Sequence, residues 1–321
     1  MKFTTKILTV LSSRTVKIVI SSGLIVYLIT RFGIESIYQS ISTTRPLYLV
    51  YALVVFCVSG VLGSIQWGIL LRFHGIHLGF WWTVKRYFMG LFFNYVFPGF
   101  IGGDVVRIYQ TSCAGGQRTQ AISSTLADRV MGFFILIMLS LVSFVLLQNA
   151  PAKRTLPVAI AMFGVFVILV IIISYKPAGI FIKRVFGRMM PRFLQEELSA
   201  LYTEMHALTR SPITLLSISC TSLIIQLTRI TVHYLCGKAV GINLGFVYFA
   251  LFVPLMETVA SIPVSVGGIG VRESMGITLF SSVGIVSSDV FAYSLLATFV
   301  GFTGSILGGI AFALSNTKKD G

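Results

Sequence analysis

A helix cannot run unbroken through a proline followed by paired glycines, and this chain places that interruption twice inside apolar sequence. Pro98-Gly99-Phe100-Ile101-Gly102-Gly103-Asp104-Val105-Val106-Arg107 reads P-x-x-x-G-G-x-x-x-R. Pro263-Val264-Ser265-Val266-Gly267-Gly268-Ile269-Gly270-Val271-Arg272 repeats it at the same offsets. Proline lacks an N–H and pushes the residue before it out of helical geometry. A glycine pair permits a tight turn and close backbone approach. Each copy therefore predicts a helix that stops, turns at Gly102-Gly103 or Gly267-Gly268, and restarts with its arginine in the first turn. Free N–H groups at a helix start beside a guanidinium suit an anion. In a membrane, paired broken helices in the two halves of a chain point to a binding site. The alternative is two similar Gly-rich loops in a chain with 30 glycines.

The surroundings decide the solvent. With 55% hydrophobic residues, 11% charged and a mean hydropathy of +0.90, the chain belongs in a bilayer. The predicted fold class is all-α: a polytopic helical membrane bundle with two broken or re-entrant helical hairpins in an inverted-repeat-like arrangement. A single integral membrane domain over 1–321 is expected, with no appended catalytic domain. The net charge of +15 does not argue for nucleic acid, because Lys and Arg cluster between apolar spans, as the positive-inside rule and anionic lipid require. Cys57, Cys113, Cys220 and Cys236 have no metal-site spacing and read as free thiols. His74 and His77 have no carboxylate or Cys nearby and read as a surface loop. No metal or cofactor is predicted, and without a Walker motif ATP hydrolysis is not expected.

Along the chain, full spans are predicted near 18–30, 47–71, 130–148, 158–175, 213–236 and 290–314, with interrupted segments at 80–112 and 246–283. The first span follows Lys2, Lys6, Arg14 and Lys17 like a signal anchor without a small-residue cleavage site. The aromatics of 81–97 (Trp81, Trp82, Tyr87, Phe88 among them) read as interface anchors. The arm after Gly103 is too short to cross a hydrocarbon core of about 30 Å, so 80–112 is predicted as a re-entrant hairpin with its tip at 98–103. A polar turn at 114–119 then leads to Asp128-Arg129 just before the third span. Leu194, Leu198, Leu201, Met205 and Leu208 mark the apolar face of an amphipathic helix near 192–210, on the membrane surface or against the bundle. In the fifth span Ser219, Ser222, Gln226, Arg229 and His233 recur at helical spacing. Such a stripe must face protein or water, since an unpaired charge in lipid costs several kcal/mol; the other reading has Arg229 snorkelling to the interface.

With cytoplasmic termini and re-entrant hairpins, most of the 25 Lys and Arg fall on the cytoplasmic side. Hairpin one then enters from the cytoplasm and hairpin two from outside, although the second unit is long enough for two full spans. The expected location is the cytoplasmic membrane.

Asn94, Pro98-Gly99, Gly102-Gly103-Asp104, Arg107, Asp128-Arg129, Pro263 and Gly267-Gly268-Ile269-Gly270-Val271-Arg272-Glu273 resemble, in order and over nearly the whole chain, the lysylphosphatidylglycerol synthase transmembrane family. Val266 stands where the second family motif usually carries a proline. The resemblance implies flippase-like translocation of a lipid, often anionic or lipid-linked, between leaflets. It does not imply lysyl transfer, which belongs to a separate soluble domain.

Residues and resemblance together predict a head-group phosphate held by Arg107 and Arg272, the bidentate always-charged side chain suited to it. Asp104, Glu257 and Glu273 would neutralise those arginines in an empty site, and Arg229 and His233 would form a stepping stone. Expected partners are the bilayer, an anionic or lipid-linked lipid, and a further copy or a membrane enzyme. Two other classes stay open. A membrane transferase would use Asp104, Asp128 or Glu257 as base and would change the lipid's mass. A scaffold would tolerate alanine at both motif arginines and lose function through changes on the 192–210 helix. A purely structural role would make Asp104, Arg107 and Arg272 hairpin-to-bundle ion pairs.

Overall fold

A computed structural model describes residues 44–97, 102–115, 118–147, 164, 206–208, 210–261, 265 and 268–314. The spans predicted near 18–30 and 158–175, the tip residues 98–101, Pro263 and Gly267 lie outside the described residues. So does most of the amphipathic 192–210 helix.

The described residues form eight helices and no strand. These are α1 (Pro46–Phe73), α2 (Phe80–Val96), α3 (Gly102–Cys113), α4 (Arg118–Leu146), α5 (Pro212–Val240), α6 (Phe246–Ala260), α7 (Val271–Ser281) and α8 (Ser287–Ala313). Four of them, α1, α4, α5 and α8, are long and apolar enough to cross a membrane. At 27–29 residues each is about 40 Å long. Backbone polar groups have no water to bond in hydrocarbon, so the chain satisfies them within helices. The bundle is dressed for lipid: α1 exposes Leu47, Val50, Val54 and Val58 at helical spacing, and α8 exposes Phe299, Phe302, Ile306 and Ile310.

The interruptions fall where the motifs predict. α2 and α3 have 17 and 12 residues, and α6 and α7 have 15 and 11. At about 1.5 Å per residue none is longer than about 26 Å. α3 packs on α2 and α4, while α7 packs on α6 and α8. An aromatic core joins the second unit to α8: Phe280 lies 5.1 Å from Phe249, 5.0 Å from Phe252 and 5.3 Å from Tyr293 between ring centroids. Ser140 of α4 donates to the Leu251 carbonyl of α6 at 3.0 Å, in the turn that Pro254 disrupts.

Three sequence expectations change. The pair Gly102-Gly103 belongs to α3, not to the turn before it. Its purpose is close approach, since a Cβ on Gly103 would strike the Gly90 carbonyl and Asn94 of α2. The second copy does turn on glycine: Gly268 and Gly270 have φ of +70° and +87°, and α7 begins only at Val271. Arg272 therefore sits in the first turn of its helix, whereas Arg107 lies a turn deeper. Second, α4 starts at Arg118 rather than near 130. Asp128-Arg129 thus falls inside α4 rather than just before its start. Third, the aromatics of α2 divide. Trp81 is 78% exposed, but Tyr87 and Phe88 are buried in the bundle. Leu208, at the end of the amphipathic segment, is buried beside Leu70, Met131 and Ile218, which sets that end against the bundle. All four cysteines are free thiols.

Candidate functional site

Each motif arginine is buried and held by carboxylates. In the first site Arg107 donates to Asp104 one turn back at 2.7 Å and to Asp128 of α4 at 2.9 Å. Arg129 approaches the other Asp104 oxygen at 2.5 Å. Gln66 of α1 donates to Asp128 at 2.8 Å. The guanidinium of Arg107 lies 5.3 Å from the Trp67 ring and 5.0 Å from the Tyr87 ring. Flat, weakly hydrated guanidinium can stack on rings while its edges bind carboxylates, which suits a dry location. Two arginines and two aspartates leave this cluster neutral.

In the second site the Arg272 Nε lies 2.7 Å from Glu257 of α6, and another nitrogen donates to Thr298 of α8 at 2.9 Å. His233 of α5 comes within 3.4 Å of the same Glu257 oxygen. Glu273 does not join this cavity wall. It is fully buried, accepts the Gly270 N–H and accepts from Ser294 at 3.1 Å. It closes a helix start from within, which is the anion role predicted for an external ligand. Asn94 does the same at the first copy, accepting the Gly103 N–H at 2.9 Å. Glu273→Ala is expected to cost about 2 kcal/mol of stability, because it strands a buried N–H and a hydroxyl. Denaturant unfolding in detergent micelles measures it.

The two sites share one cavity of about 230 Å³ to which all eight described helices contribute. That is below the roughly 300–1,000 Å³ of drug-sized pockets. Of the predicted site residues, Asn94, Asp104, Arg107, Asp128, Arg129, Arg229, His233, Glu257 and Arg272 line it. Gly102, Gly103, Gly268 and Glu273 do not; they shape the helix starts behind it. Gly267 lies outside the described residues. The polar stripe of α5 lines the cavity through Ser222, Gln226, Arg229 and His233, with Arg229 exposed. Ser219, the first residue of the stripe, is not on the wall.

Sequence reading missed Gln66, Trp67, Tyr87 and Thr298. Gln66 carried a usable signal, since a lone amide in an apolar span must find an interior partner. The ring pair had none, because Trp67 and Tyr87 meet Arg107 only after three helices pack.

Comparisons with known proteins bear on the whole assembly. Residues 14–309 match the model of the lysylphosphatidylglycerol synthase TM region. The UPF0104 membrane protein PH1989 of Pyrococcus horikoshii is 23% identical over 328 residues, covering 94% of this chain and 96% of that protein. The match spans both interrupted units and the cavity between them, and the chain therefore belongs to the lysylphosphatidylglycerol synthase transmembrane-region family.

Proposed function

We propose that this protein moves a lipid between the leaflets of the cytoplasmic membrane, passing its head group through the cavity while the acyl tails stay in lipid. One observation carries the reading. Both motif arginines, from opposite halves of the chain, reach the wall of one polar cavity inside a lipid-facing apolar bundle. Charge at that depth is expensive and marks a pathway for polar cargo when it faces a cavity. The interrupted helices form the wall, the place where membrane transporters keep irregular backbone. The chain acts without changing the lipid covalently, with both termini on the cytoplasmic side.

Proteoliposomes carrying fluorescent anionic or zwitterionic phospholipid and scored by dithionite quenching test this. Exchange faster than in protein-free vesicles is expected, with no change in lipid mass. Ser261→Trp should abolish it while leaving a monodisperse protein, because Ser261 is half-buried on the cavity wall where an indole fills the space. Equal exchange with and without protein, for every lipid tried, would shift the reading to a transferase or scaffold. A new lipid mass would establish the transferase.

A further inference from the structure

Among the described residues, one arginine on the cavity wall has no ion-pair partner. Four arginines and three carboxylates line the cavity, and a fourth carboxylate, Glu273, is buried behind Arg272. Arg107 and Arg129 are paired with Asp104 and Asp128, and Arg272 with Glu257. Arg229 is the remainder. Among the described residues it makes no ion pair and no hydrogen bond, and its side chain is exposed, in contrast to buried Arg107 and Arg272. Its position is central. It lines the same cavity as Asp104 and Arg107 of the first site and Glu257 and Arg272 of the second. α5 thus brings to the shared cavity a guanidinium that no carboxylate holds.

An unpaired cation inside a bilayer-embedded bundle is costly unless it meets water or an anion. A ligand that takes Arg107 or Arg272 must first displace a carboxylate that already holds it. A ligand at Arg229 displaces no carboxylate. Resting on the lipid-translocation reading above, we propose that Arg229 is the anion-binding residue of this cavity and that its ligand is a singly charged phosphodiester. The motif arginines then hold the helix starts in place and shape the wall. A phosphodiester supplies one negative charge and two free oxygens for the guanidinium fork. A phosphomonoester brings a second charge that a single guanidinium does not match.

The test measures ligand protection of the purified full chain in mixed micelles, by the shift in its thermal unfolding midpoint. The ligands are phosphatidylglycerol, phosphatidic acid, phosphatidylcholine and inorganic phosphate. Wild type is compared with Arg229→Gln and Arg229→Lys. Ligand-free stability of Arg229→Gln should match or exceed wild type, since no partner is stranded. Phosphatidylglycerol should bind wild type best, with affinity falling about tenfold or more in Arg229→Gln, the order set by losing a charge-assisted hydrogen bond. Arg229→Lys should keep most of it. Phosphatidic acid binding better than phosphatidylglycerol would overturn the monoanion assignment. Protection by inorganic phosphate equal to that by lipid, and lost in Arg229→Gln, would keep the Arg229 site but assign it to the free anion. Unchanged phosphatidylglycerol affinity in Arg229→Gln would overturn the proposal, and the translocation reading survives if wild type still exchanges lipid. Arg229-dependent binding with no leaflet exchange in proteoliposomes would leave the site standing and remove translocation.

Discussion

Asp104→Asn is expected to destabilise the protein by roughly 3–5 kcal/mol, the cost of breaking a buried ion pair on one side only. Asp104 holds two guanidinium groups at once, Arg107 at 2.7 Å and Arg129 at 2.5 Å. The amide leaves both arginines with one carboxylate, Asp128, and the first site gains an uncompensated charge. The double variant Asp104→Asn plus Arg129→Gln restores neutrality, since Arg107 and Asp128 stay paired at 2.9 Å. It should therefore be more stable than Asp104→Asn alone, although it carries one more substitution. Denaturant titration of both variants in micelles checks this, with Arg129→Gln completing the cycle. A double variant no better than the single one would show that geometry, not charge balance, holds α3 on α4.

Gly308→Val should be the most damaging change on a helix face, at about 3 kcal/mol or more. A Cβ there would run into the carbonyl group of Phe88 and the nitrogen of Met89, so α8 and α2 pack backbone against backbone. Backbone atoms inside a helix cannot step aside as a side chain can. Without a hydrophobic drive between helices in lipid, such close approach is a main source of association. Gly309→Val meets only the Phe92 ring, whose side chain can rotate, and should cost less. Gly245→Ala has nothing within 4 Å and should stay within about 0.5 kcal/mol of wild type. Unfolding midpoints of the three variants, compared in one detergent, give the order. Equal losses at 308 and 309 would mean that α8 shifts as a body and that the contact with α2 is not rigid.

The site was partly legible before any folding. A charge inside an apolar span has few places to go, and that rule picked out Arg229 and His233, while the repeated motif picked out Arg107 and Arg272; all four reach the cavity. It could not say which cations would be neutralised from within. Arg107 and Arg272 looked like the anion holders because their motif is repeated. The structure pairs both with carboxylates from other helices and leaves Arg229, which belongs to no repeat, without one. Partnership across helices depends on rotation and depth in the bundle, and neither is written in local spacing.

Glu273 shows the same limit from the other side. As a carboxylate beside Arg272 it reads as a counter-ion, but three residues after Gly270 it also reads as a cap. The positive φ of Gly270 aims the backbone N–H at Glu273, and Ser294 of α8 takes its second oxygen. Asp128-Arg129 was misplaced for a related reason. The apolar run that marks the span begins only near 130, yet the helix starts at Arg118 because its polar turns pack against α3 rather than lipid.

By itself the sequence determined the solvent, the helical class and the two interruptions, because those follow from apolar run length, backbone hydrogen bonding in hydrocarbon, and the chemistry of proline and glycine. Only the tertiary structure decided that the two interruptions face one cavity, that their arginines are already paired, and that Arg229 has no carboxylate partner among the described residues. The physical reason is range. Periodicity and turn chemistry act within a few residues, whereas charge balance and close helix contact are settled between elements far apart in the chain.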